Sequence, residues 1–114
     1  MPTDPSGALV EETLLAAIPS TEANGITADQ VGVAAATGLR LIGFAARESA
    51  GTPAAATFIL RHGAADSDPV LAPVELSADE STREWWWPGL DATDGIFIEV
   101  VAGTIDITLF HVAA

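Results

Sequence analysis

Three consecutive tryptophans, Trp85-Trp86-Trp87, are the heaviest chemical feature of the chain. In a strand, Trp85 and Trp87 point to one side and Trp86 to the other. Three readings are open. One side lies in the core and the other beside a loop; or one side forms an intersubunit contact, where tryptophan is enriched at hot spots; or the rings form a platform on which sugars stack. No polar sugar-binding cluster is recognisable beside them. Acids occur in pairs, Asp66 with Asp68, Asp79 with Glu80 and Asp91 with Asp94. Paired carboxylates can act as a glycosidase acid and base or bind calcium. The twelve-residue calcium-loop pattern is absent, and solvated acidic turns explain these residues more simply.

His62 and His111 each fall near a predicted strand end, without an HExxH pattern or a dense His/Asp cluster. They read as structural. No G-x-S-x-G elbow is present, and Gly38–Gly43 has neither the lysine nor the spacing of a phosphate loop. Catalytic, cofactor-binding and metal-binding residues are therefore expected to be none. The permanent cations are Arg40, Arg47, Arg61 and Arg83, with Glu48 and Glu84 next to two of them in sequence. They read first as ordinary ion pairs at strand edges, and second as bidentate contacts to acids on another subunit.

Sixteen acids face these four arginines, lysine is absent, and the net charge is −12. Such a chain repels nucleic acid and anionic membranes, so neither is an expected partner. Cysteine is absent, which removes disulfides, thiol catalysis and thiolate metal sites. The 114 residues fit one domain, and a hydrophobic content of 49% supplies its core. No apolar run approaches the ~20 residues that cross a bilayer. Met1–Pro5 holds no basic residue and leads into no apolar block, so no export signal is expected.

The elements that would position these residues are strands. Residues 1–38 read as an N-terminal arm or short helix with a linker, and residues 39–114 as a β-sandwich domain. Asp4-Pro5 suits a helix start, Val10, Leu14 and Ile18 recur at helical spacing, and Pro19 would end the helix. An extended arm is the equal alternative, because so short a helix is marginal alone. Residues 19–30 read as a polar linker, and Gln30–Thr37 as a possible first strand. Strands are then predicted at Leu39–Ala46, Ala55–His62, Val70–Leu76, Thr82–Trp87, Gly95–Val101 and Thr104–Val112. Pro73 predicts an edge position or a bulge, and Pro88-Gly89 a strand end. This spacing predicts an all-β fold, a small antiparallel β-sandwich or jelly-roll-like barrel. Phe58-Ile59-Leu60 and Ile96-Phe97-Ile98 put large side chains on both strand faces. A half-solvated strand alternates with polar residues, so the second face is expected to be covered by neighbouring subunits or by the N-terminal segment.

At Leu39–Gly63 (LRLIGFAARESAGTPAAATFILRHG) and Gly95–Ile105 (GIFIEVVAGTI) the chain resembles a group of short proteins from tailed bacteriophages and prophages of high-GC bacteria. The shared pattern is Gly43-Phe44, Arg47-Glu48-Ser49, a Gly51 turn, a strand ending near Arg61, and Gly95-x-Phe97 with Val101-Ala102-Gly103-Thr104. It spans roughly residues 39–112 and leaves the N-terminal segment outside. The resemblance implies a non-enzymatic virion structural protein: a capsid decoration (cement) protein, a minor capsid protein or a tail component. The expected partners are the major capsid protein or other virion proteins and sister copies in a homo-oligomer, a trimer being one such state. The expected location is the outer surface of the capsid after synthesis in the host cytoplasm. An acidic protein suits that surface better than the DNA-filled interior. The residues expected at subunit contacts are Val10, Leu14, Ile18, Phe58, Leu60, Trp85, Trp86, Trp87 and Phe97. The alternative is a tail or fibre module that binds cell-surface glycan through the tryptophans.

Overall fold

The computed structural model describes residues 10–19, 31–33 and 38–112, with only the backbone described at 31–33. The Asp4-Pro5 helix start, the bulk of the 19–30 linker and the outer parts of the Gln30–Thr37 strand lie outside the described residues. The strands are β1 (Glu11–Pro19), β2 (Val31–Val33), β3 (Arg40–Glu48), β4 (Ala56–His62), β5 (Val70–Leu76), β6 (Ser81–Asp91), β7 (Ile96–Ala102) and β8 (Thr104–Val112). They form two four-stranded sheets, ordered β1-β8-β3-β6 and β2-β7-β4-β5. Every strand pair is antiparallel. The all-β prediction therefore holds, as a small β-sandwich.

The core follows from side-chain alternation. In β8, Ile105, Ile107 and Leu109 are buried while Asp106 and Thr108 on the other face are only half-buried. From β3 come Leu41, Phe44 and Ala46, and from the second sheet Phe58, Leu60, Ile96, Ile98 and Val100. Phe44 and Phe58 meet edge to face across the two sheets, with centroids 5.9 Å apart, a favoured aromatic geometry. The tilted Trp86 ring closes on the same Phe44 at 5.5 Å. Gly103, at φ 80°, turns β7 into β8; a Cβ there would sit 2.7 Å from the Ala55 carbonyl oxygen. Only glycine meets both conditions without strain.

Val70–Leu76 and Thr104–Val112 match their predicted bounds residue for residue. Pro73 sits on β5, the edge strand of the second sheet, where its missing N–H breaks no ladder. Two expectations need correction. The first is the helix over Val10, Leu14 and Ile18: residues 11–19 are a strand paired with β8. A spacing of four fits the strand period of two as well as the helical 3.6. Pairing with β8 satisfies the backbone of both strands at once. A bulge between Leu15 and Ile18, with Ala17 at φ 53°, then turns Ile18 to the opposite side from Leu14, as an extra residue in one strand does. The second is the stop at Pro88-Gly89. β6 resumes its pairing beyond it, because residues 86–89 loop out opposite Ile42 between the Gly43↔Trp85 and Leu41↔Leu90 pairs.

Candidate interface on the outer face of the first sheet

Strand register orders the outward face of β1-β8-β3-β6 into three rows. The first row is Asp106, Arg47 and Ser81. The second is Leu14, Thr108, Ala45 and Arg83. The third is Glu12, Phe110, Gly43 and Trp85. The middle of the second row is small, so Leu14 on one edge strand and Arg83 on the other become the rims of a groove of about 590 Å³. Strands stand ~4.8 Å apart, which sets these rims ~14 Å from each other. In the third row Gly43 leaves room for two aromatic rings, a cross-strand pairing that stabilises a sheet. Trp85 and Phe110 approach over it with centroids 5.8 Å apart, and a recess of about 300 Å³ opens beside them.

One end of the groove is held by hydrogen bonds. The Asp106 carboxylate accepts from the Ala17 N–H at 2.6 Å, from Arg47 Nε at 2.9 Å and from Ser49 Oγ at 3.1 Å. It thereby fastens the β1 bulge to β8 and β3. Burial pushes this carboxyl up, but the bonds from Ala17, Arg47 and Ser49 outweigh it and hold the group below its ordinary value. On the inward side of the same two strands, Thr13 Oγ1 lies 2.8 Å from His111 Nε2. His111 Nδ1 is buried without a hydrogen bond, 3.9 Å from Glu11 Oε2. Burial lowers the His111 pKa, against the opposing pull of the Glu11 charge.

The nine residues expected at contacts separate sharply. Leu14, Trp85 and Trp87 are 68%, 56% and 43% exposed. Val10 is buried on the outward side against Ile42 and Val112. Ile18, Phe58 and Leu60 are buried in the core, and Trp86 packs on it. Phe97 is 1% exposed, although its pairing with Arg61 turns it away from the side of Ile96 and Ile98. Phe58 and Leu60 are thus buried within the chain's own core, and Phe97 is buried on the outer side of the second sheet. Phe110 joins the face in their place. It was missed because Asp106 and Thr108 made that side of β8 read as polar.

The remaining polar residues take structural places. Neighbouring residues in a strand point to opposite sides. Arg47 therefore pairs with Asp106 across the strand rather than with adjacent Glu48. Glu48, buried, accepts instead from the N–H groups of Asp79 at 2.9 Å and Ala50 at 2.6 Å. These bonds hold its carboxyl below the ordinary range. Arg61 forms a 2.9 Å ion pair with Glu99 and also donates to the Asp68 carbonyl. Asp68 accepts from the N–H groups of Ala64 and Ala65, Glu80 from Ser77, and Asp91 from Thr93, so acids of all three pairs serve turns. His62 Nε2 accepts from the Asp94 N–H. Among the described residues no group of three or more His, Asp or Glu is placed to hold a metal. No protein-family model matches the chain, and no curated protein or solved structure matches it either.

Proposed function

We propose that this chain is a non-enzymatic structural protein of a tailed-bacteriophage particle, a capsid decoration or minor capsid protein that stabilises the outer surface through subunit contacts. The observation that carries the reading is the outward face of the first sheet. Leu14 and Trp85 stand exposed there, with half-buried Phe110 beside Trp85. A contiguous exposed apolar patch on a small protein marks an interaction site, and tryptophan is the residue type that most often anchors one. The net charge of −12 and the resemblance over residues 39–112 support the particle exterior. The test is to add purified protein to particles that lack it and image them. Density for the chain at repeated exterior positions is expected; unchanged particles would remove the proposal.

A glycan-binding tail module is the second reading, favoured by the exposure of Trp85 and Trp87. Trp85→Ala separates the two. Loss of cell or glycan binding with particle assembly intact supports the glycan module, and loss of particle binding supports the structural protein. Trp86 is the wrong residue for this experiment, because its ring packs on Phe44.

A further inference from the structure

Cations are scarce in this protein, and their placement is uneven. Arg61 is occupied by Glu99 and the Asp68 carbonyl. Arg40 donates to the Pro88 carbonyl. Arg47 uses only Nε, on Asp106, and its side chain is 67% exposed. Arg83 is exposed and makes no hydrogen bond or ion pair among the described residues. Both Arg47 and Arg83 line the groove between Leu14 and Arg83. Among the described residues the one acid lining it is Asp106, and three donors already occupy that carboxylate. Glu12 and Glu84 flank the aromatic end instead, so the anion preference is confined to the arginine end.

We infer that this groove receives an acidic, extended segment of the protein on which the chain docks. Its carboxylates pair with Arg83 and Arg47, and an apolar side chain of the segment rests on Trp85 and Phe110. The inference builds on the proposed role as a structural docking protein and supplies the chemistry of the contact. Guanidinium groups are planar forks of donors that match carboxylates, and they are poorly matched to neutral hydroxyls. The three residue rows span ~14 Å along the strands, the reach of about four extended residues. Side chains of an extended segment alternate, so every second residue faces the sheet. The segment therefore carries acids at alternate positions, followed by an apolar residue in the same phase. A second copy of this chain fits less well. A two-fold contact through this face would set Arg83 against the arginines of its mate and bring two bodies of charge −12 together.

The probe is a blocked heptapeptide with Glu at the second and fourth positions, Leu at the sixth, and Ser or Gly elsewhere. Its binding is followed by the intrinsic tryptophan fluorescence of the full chain. A matched peptide with Lys in place of Glu and a hexasaccharide of hyaluronan serve as comparisons. The expected result is a saturable signal with the Glu peptide alone, weaker at higher salt. Arg83→Ala should weaken it by about tenfold or more, the loss of one charge-assisted contact. Val101→Ala, an exposed substitution on the second sheet, should leave it unchanged. No saturable signal, equal binding by the Arg83→Ala protein, or preference for the hexasaccharide overturns the inference. So does a dimer of the free chain that Arg83→Ala dissociates. If Trp85→Ala abolishes particle binding while Arg83→Ala does not, the docking role stands and this inference alone fails.

Discussion

At the scale of single residues, the outward face depends on a few side chains whose work is separable. Asp106 is the clasp. Removing its carboxylate leaves the Ala17 N–H, Arg47 and Ser49 without their acceptor. Asp106→Ala should destabilise the fold by about 1–3 kcal/mol in urea unfolding. Arg47→Ala should cost less than about 1 kcal/mol, since that guanidinium is mostly solvated. His111 sets the first response to acid. Burial places its folded pKa below the ordinary 6.5, so the unfolded chain takes the proton first. Its contribution is complete above pH 6.5 and is lost as pH falls below that value towards the folded pKa. Glu48 and Asp106 are also lowered, so they lose stability in the same direction, below 4.5 and 3.8. Unfolding free energy measured against pH should therefore decline in two stages, and His111→Gln should remove only the upper one. The tryptophans show how much was legible in sequence at this scale. Strand alternation separates Trp86 from Trp85 and Trp87, but it cannot assign the core side. That choice follows from Phe44, which Trp86 contacts across β3.

At the scale of elements, local pattern was read well where alternation and turn chemistry agreed. From Thr104 to Leu109 polar and apolar residues alternate, and the bounds Thr104–Val112 were found without error. Val10, Leu14 and Ile18 failed as a helix signal because their spacing satisfies both periods. The deciding partner, β8, lies about ninety residues away in sequence, where no local reading reaches. The reach of β6 past Pro88 was hidden for a similar reason: the loop of residues 86–89 is matched to Ile42 in another strand. Gly43 joins these elements. A Cβ there would run into the Glu84 carbonyl oxygen, so β3 and β6 can close only over glycine. Gly43→Ala should force the strands apart, cost about 1–3 kcal/mol and displace Trp85. Unfolding curves and the exposure of tryptophan to a soluble quencher would register both effects.

At the scale of the whole molecule, the sandwich closes its own core, and this narrows where other proteins can act. The sequence led to the expectation that strands apolar on both faces needed neighbours. Yet Phe58 and Leu60 have no exposed surface, Phe97 is 1% exposed, and Ile96 and Ile98 are equally buried. Ile59, on the outer face, is only half-buried. Among the described residues, the large hydrophobics exposed on the second sheet are only Val70 and Val101, while the first sheet's outward face carries Leu14 and Trp85 beside half-buried Phe110. The proposed docking role therefore stands or falls on one face. The decisive measurement is the affinity of the purified chain for particles that lack it, compared with Trp85→Ala and Val101→Ala proteins of equal thermal stability. A Trp85→Ala protein that binds more weakly by about 2 kcal/mol or more, beside an unaffected Val101→Ala protein, is the result predicted for a hot spot on this face. Equal affinities for all three proteins, or no binding by any of them, would contradict it.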